Sequence, residues 1–416
     1  MNIAIVGAGV AGIATAHALA RDGHAVTVYD QHSSAAEGAS FAPTGWLAPA
    51  LLQPWSAPGL AQPPGLRSRQ SQLRIGSAFS TADLSWLWRW RQAGRRIRKA
   101  PEQLHPALAA VERLAQYSRQ LRESDWDDPT QDMQRQAGAM VLLRTPAALA
   151  QLQPALTVLA DAGVAVQPLD PAQARQLEPG LSSQATLFAA LNLPAAETAN
   201  CRLWVQQQRL SAQQLGVQFV FGARVSRLGQ QPMGVQLTGE SGMRAHQAVV
   251  VCAGAASAGL LRPLGLKLPA VPLGGYTVSA PLREPAHAPR CAIVDWERQI
   301  SLVRLGQRVR AGGGAELGTS AQHHAPSLQR LYHALSHWFP GGMQPSQGVH
   351  AWRGVRVMTP DGAPILGASG LPGIWLNLGH GNHGAAMAHG CGQLLADLIA
   401  QRAPGIDTTG LNLQRF

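Results

Sequence analysis

Short apolar runs, glycine- and proline-rich turns and helical periods follow one another along this chain in an order that divides it in two. Residues 2–6 form a short run rich in β-branched residues, the pattern of a buried parallel strand. Residues 10–21 follow as an alanine-rich helix, and HAVTVYD (24–30) as a second strand. After Asp30 the periodicity gives way to the proline-rich FAPTGWLAPALLQPWSAPG (41–59). GVQFVFG (216–222) and AVVVCAGAAS (248–257) are further short apolar strands, the second after a hairpin at 224–246. A strand, glycine turn and helix at 373–400 complete the set. Between these lie a helix over 102–124 and four strands of a mixed or antiparallel sheet: AGAMVLLRT, ATLFAALNL, GGYTVSAPL and ISLVRLGQRVRAGGG. The expected fold class is α/β with an α+β second domain. Residues 1–60, 195–265 and 350–416 make a discontinuous first domain, a parallel sheet with covering helices, and 61–194 and 266–349 make the second.

The first turn carries chemistry. Gly7, Gly9 and Gly12 supply G-x-G-x-x-G between strand and helix. The first glycine permits the tight turn, the second lets a pyrophosphate approach the backbone, and the third lets helix and strand pack closely. Val10 and Ala11 open the helix, whose amino end offers N–H groups and a positive dipole to phosphate. Asp30 ends the second strand, followed by Gln31, about twenty residues past the glycines, where a ribose hydroxyl is read. Three glycines alone make only a turn, but strand, glycines, helix, strand and acid in this order point to a dinucleotide. A nicotinamide enzyme would continue in regular βαβ units. This chain breaks off, and its remaining nucleotide-type strands come from the middle and the end. That is the plan of a Rossmann-like FAD-binding domain. The turn Gly379-His380-Gly381-Asn382-His383-Gly384 opens a second helix towards the same ligand.

Composition narrows the partners. Apolar residues at 46% and charged residues at 14% leave ample core for two domains in 416 residues. The formal charge of +11 is almost wholly arginine. No basic run with interleaved aromatics and no zinc-finger or helix-turn-helix spacing accompanies it, so no nucleic-acid partner is expected. Four cysteines without CxxC spacing argue against a metal site or a disulfide framework and for a reducing, cytoplasmic setting. No signal-peptide pattern opens the chain, and no apolar run reaches the roughly 18–20 residues that span a bilayer. LSWLWRWRQAGRRIRK (84–99) places Trp86, Trp90, Ala93 and Ile97 on one helical face, with Arg89, Arg91, Arg95, Arg96, Arg98 and Lys99 around the rest. Two readings stand: tryptophans docked on the second domain with solvated arginines, or a peripheral membrane contact at the inner face of the membrane.

RGVRVMTPDGAPILG (353–367) fits neither a core helix nor a simple strand. Together with LSWLWRW (84–90), LPAAETANC (193–201), IWLNLGHG and GQLLADLI, it makes the chain resemble the D-amino-acid dehydrogenase branch (small-subunit type) of the FAD-dependent D-amino-acid oxidase/glycine oxidase family, over nearly its whole length. The resemblance implies non-covalent FAD on Gly7, Gly9, Gly12, Asp30, Ser40, Gly254 and the turn 379–384, with Gly45, Trp46 and Ala253 beside them. Val225 would give a backbone contact to the adenine. In the family's G-x-R-P motif the arginine grips the substrate carboxylate; here it reads Gly354-Val355-Arg356-Val357. A guanidinium fork suits a carboxylate on physical grounds alone. Tyr276 stands where the family has an aromatic residue near substrate, with a buried structural role as the alternative. Arg298 replaces a common tyrosine and is expected to line the pocket. His380 or His383 would polarise the flavin or steer the amine, unless the ring simply bonds a neighbouring carbonyl. Gly274 in place of lysine, Val357 in place of proline and His383 in place of an apolar residue depart from the pattern.

The activity so implied is oxidative deamination of D-amino acids. Hydride passes from Cα to flavin N5, water hydrolyses the imino acid to a 2-oxo acid and ammonia, and the electrons go to a quinone or other acceptor. The alternatives are an oxygen-using oxidase of glycine, sarcosine or a cyclic imino acid such as a hydroxyproline, the flavin-carrying subunit of a multi-chain amine dehydrogenase, and a nicotinamide enzyme.

Overall fold

A computed structural model describes residues 1–60, 73–125, 132–318, 324–344 and 346–416. The expected domain boundary at 61 lies outside them. Six strands form one sheet in the order Ile365–Ala368, Ile374–Leu378, Ala248–Val251, Asn2–Val6, Ala25–Tyr29, Gln218–Val220. All neighbours are parallel except the first pair. The alternation of a strand explains why Ile3, Ala4, Ile5 and Val6 are all apolar: each side of the sheet is covered. Ile3 and Ile5 enter the core under helices Val10–Arg21 and Gly384–Ile399. Ala4 and Val6 enter the opposite core, under a meander of Val225–Gln230, Met233–Leu237 and Arg244–Ala245. Start, middle and end of the chain thus meet in one layer.

The second sheet has ten strands. Its main path runs His350–Met358, Val271–Pro281, Arg308–Leu317, Ile300–Leu305, Ala292–Asp295, Gln136–Leu143, Ala189–Thr198, Trp46–Ala48. Helix Ala325–Trp338 packs on one face through Leu331, Leu335 and Trp338.

Three expectations need adjusting. Strand His350–Met358 pairs along its whole length with Val271–Pro281, so it belongs to the second sheet although 350–416 was expected in the first domain. Trp46–Ala48 likewise pairs with Ala189–Thr198. The helix expected over 102–124 runs Pro106–Asp125 and lies on the first domain's helix Gly384–Ile399. There the Gly390 N–H donates to Ser118 Oγ at 2.7 Å, and Arg122 donates to the Ala386 carbonyl at 3.1 Å.

The tryptophan- and arginine-rich helix spans Thr81–Lys99, with Ser80 and Asp83 closing a capping box. Trp86 and Trp90 stack with centroids 5.0 Å apart and pack with Leu87 against Trp55, Leu273, Leu317 and Met358. Gly94, unfavourable in an isolated helix, is explained by packing: a Cβ there would stand 2.8 Å from the Gly59 nitrogen. The docking reading accounts for the buried face, whereas Leu84 and Trp88 remain 58% and 59% exposed among the basic residues. Among the described residues no helix is long and apolar enough to cross a membrane.

Candidate active site

Between the sheets lies a crevice of about 1160 Å³, above the roughly 300–1,000 Å³ of an ordinary small-molecule pocket. Its wall takes Gly7, Gly9, Val10 and Ala11 from the first turn, and Asp30 and Gln31 from the end of the second strand. Ser40, Gly45 and Trp46 come from the proline-rich segment, Val225, Ala253 and Gly254 from the middle of the chain, and Gly379, His380, Gly381, Asn382 and Gly384 from the last turn.

At the amino end the glycines work as their spacing requires. Gly7 has φ 109°, and a Cβ on it would come 2.5 Å from the Cys252 carbonyl oxygen. Gly12 sits behind the wall, where a Cβ would overlap the Gly7 carbonyl oxygen. Gly9 has only Ser40 Oγ near, at 3.4 Å, so it faces open space. The helix bears no side-chain cap on Gly9; the Val10 N–H donates to Ser40 Oγ at 3.0 Å. Asp30 accepts the Ala8 N–H at 2.6 Å and the His32 N–H at 2.8 Å, which pins its carboxylate at the strand end.

Arg356 stands on strand His350–Met358 opposite Leu273. It shares its face with Gly275, Thr277 and Trp352, because alternate residues of paired strands point the same way. Its Nη2 donates to the Gly314 carbonyl at 2.9 Å, while its buried Nε has no partner. Among the described residues no carboxylate pairs with it. Burial alone lowers its pKa to about 10, so it stays charged at neutral pH. A cation half-withdrawn from water without a counter-charge is a standing demand for an anion. Gly275 makes the room: a Cβ there would lie 2.5 Å from Nη1. Gly275→Ala is therefore expected to displace the guanidinium, raising substrate KM severalfold while leaving the flavin spectrum and Tm nearly unchanged. Steady-state kinetics and a melting curve check it.

The structure sets three expected substrate residues apart from this face. Tyr276 pairs with Arg353, one register step out of phase with Arg356, and so points through the sheet. There its hydroxyl donates to Glu316 at 2.8 Å, and the residue belongs to the same buried cluster as Val278, Leu335 and Trp338. Glu316 also pairs with Arg74 at 2.7 Å and Arg353 at 3.7 Å. Tyr276 lines the crevice, and its hydroxyl is held by Glu316. Arg298, with Nη1 3.5 Å from Asp295, is absent from the crevice wall. His383 is fully buried behind it, with Nε2 2.8 Å from the Ser56 carbonyl. Burial lowers its pKa to about 4, as it does that of His380.

Both rings therefore favour the folded state only while neutral. Between pH about 6.5 and about 4 the unfolded chain binds protons that the native chain refuses, so stability is complete above this window and falls through it on acidification. The Tm of the wild type is expected to drop between pH 7 and pH 5, and that of His383→Gln to drop less.

Further residues complete the crevice around the strand that bears Arg356. Gly312, whose Cβ would stand 2.6 Å from Thr44 Cγ2, lies beside Thr277 in the next strand. Ser301 joins the same wall. The signal was present in the paired glycine clusters Gly274-Gly275 and Gly312-Gly313-Gly314, since glycines inside neighbouring strands mark a close approach by a ligand.

A family described as FAD dependent oxidoreductase, DAO, matches residues 2–398. The chain belongs to this family. FAD is its cofactor, and the crevice fits it through the glycine contacts, the two helix openings and the excess volume. Among solved structures, glycine oxidase from Geobacillus kaustophilus is 23% identical, with 100% of this chain and 98% of that one covered and a TM-score of 0.73. Iminodiacetate oxidase from Chelativorans sp. BNC1 is 20% identical, with 99% and 98% covered and a TM-score of 0.71. L-proline dehydrogenase from P. horikoshii is 17% identical, with 100% and 97% covered and a TM-score of 0.75. At these identities the likeness is one of fold, and it covers both sheets.

Proposed function

We propose that this oxidoreductase deaminates D-amino acids, delivering the electrons to a quinone or another acceptor in place of oxygen. The observation that carries the amino-acid reading is Arg356, an unpaired cation at the substrate end of the crevice. A two-point, charge-assisted grip on the α-carboxylate would fix which hydrogen of Cα faces the cofactor. Bound FAD supplies the two-electron acceptor. Thr277, Ser301 and Trp352 bound the space in which the side chain would lie, and water displaced from it by a bound substrate would strengthen the ion pair. The imino acid leaves for hydrolysis in solvent.

Anaerobic mixing with a panel of D- and L-amino acids tests the reading. Loss of the oxidised flavin's visible absorbance with D-isomers alone supports it, and a flavin that no amino acid bleaches ends it. An oxygen-using oxidase is the second reading, favoured by the oxidases among the fold's neighbours; one peroxide per turnover in air would establish it. The exposed Leu84 and Trp88 beside Arg89, Arg95 and Arg96 support a membrane-surface contact in the quinone reading. Non-covalent attachment is supported by Cys201 and Cys252 in the crevice wall, whose thiols burial pushes up to about 12, far from a reactive thiolate.

A further inference from the structure

One crevice residue has its hydrogen-bond polarity dictated from behind. Thr15, fully buried on the first helix, lies 2.7 Å from the Ala11 carbonyl, which can only accept. The single hydroxyl proton of Thr15 goes there, so Thr15 Oγ1 can only accept from Asn377. The Asn377 amide nitrogen stands 2.9 Å from it, which turns Asn377 Oδ1 the other way, 2.8 Å from His380 Nε2. An amide oxygen cannot donate, so Nε2 must carry the proton. Burial, reinforced by the neighbouring His383, holds the ring neutral near pH 7. His380 is in the crevice wall, and no described residue bonds its Nδ1.

We propose that Thr15, Asn377 and His380 form a one-way relay that locks His380 as the Nε2–H tautomer and presents its Nδ1 lone pair to the crevice, as the acceptor for an N–H of the bound ligand. The relay makes His380 a positioning residue that rejects a ligand offering only acceptors at this point. The N–H comes from the imide of the flavin ring or from the substrate amine; the second source rests on the proposed function, the tautomer lock does not. Thr15 and Asn377 come from opposite ends of the chain, so the lock exists only once the parallel sheet has closed.

Histidine-labelled (15N) protein at pH 7, with the His380 signals identified by their loss in His380→Phe, reads the tautomer directly. The expected spectrum has a protonated Nε2 and a bare Nδ1, and Asn377→Leu and the milder Thr15→Val give averaged signals. A proton on Nδ1 in the wild type, or a tautomer unmoved in both relay variants, overturns the lock. The acceptor role is read by two binding pairs. Apoprotein is titrated with FAD and with its N3-methylated analogue, and holoenzyme with anthranilate and with benzoate. One N–H-bearing member is expected to bind about five- to tenfold tighter, the worth of one hydrogen bond, and His380→Phe to abolish that margin. A margin in the FAD pair names the imide and one in the second pair names the amine; no margin in either, or margins that survive the substitution, overturn the acceptor role. The lock surviving while no amino acid bleaches the flavin would condemn the proposed substrate and leave the relay standing.

Discussion

Arg356→Leu is expected to keep its flavin and lose its grip on substrate. Among the described residues the guanidinium makes one hydrogen bond, to the Gly314 carbonyl, and none to the nucleotide-binding turns. The visible spectrum is therefore expected to stay nearly unchanged. A substrate carboxylate left unpaired in the crevice forfeits roughly 2–5 kcal/mol, about thirtyfold to a few thousandfold in kcat/KM. Most of the loss is expected in KM if the grip is equal in ground and transition states. Arg356→Lys, which keeps the charge but not the fork, is expected to fall between. The stability effect runs the other way. Removing a cation that is desolvated and unpaired in the ligand-free chain is expected to leave Tm unchanged or higher, a binding group bought at the fold's expense. Kinetics in Arg356→Leu equal to those of the wild type would displace the carboxylate site from this strand.

Gly12→Ala is expected to do the opposite, taking away colour and stability together. Its new methyl group would overlap the Gly7 carbonyl oxygen, which is backbone and cannot rotate away. Overpacking of this kind costs about 1–3 kcal/mol, and relief by moving the helix shifts Val10 and Ala11, which line the crevice. The purified variant is expected to be colourless, with a lowered Tm. Gly9→Ala separates the two effects: its Cβ meets only Ser40 Oγ, at 3.4 Å. It is expected to melt like the wild-type apoprotein while binding FAD poorly, because the methyl group enters the space of the pyrophosphate. A Gly12→Ala protein holding a full complement of FAD would remove the close-packing argument.

The difference between these glycines was legible in the sequence because it is local. Six residues fix the turn, and a strand before and a helix after give each glycine its task. The same locality made the elements themselves readable: the first helix is found at Val10–Arg21 and the first strand at Asn2–Val6, where the pattern put them. What needed the structure was register. Arg356 and Tyr276 were both placed at the substrate from motif position, yet pairing 273 with 356 and 276 with 353 sends them to opposite faces of one sheet. No property of either residue's neighbours in sequence carries that phase. His380 and His383 repeat the lesson in a turn three residues long, where a single 3-10 turn puts one ring in the wall and the other behind it. Residues 350–358 were misplaced for a related reason. A strand joining two domains reads the same from sequence whichever sheet receives it, and only the length of its pairing with Val271–Pro281 decides.

The sheet that holds the cofactor also sets the order of assembly. Its central strand, Asn2–Val6, is flanked by Ala248–Val251 on one side, and that strand in turn waits for Ile374–Leu378. During synthesis the amino-terminal strand-helix-strand unit leaves the ribosome long before either neighbour exists, with Ile3 and Ile5 still uncovered by the last helix. Folding of so many distant pairings is slow and prone to stray association. A growing chain of this design gains by having its first segment sheltered, by a chaperone or by early contact with FAD, until the closing strands arrive.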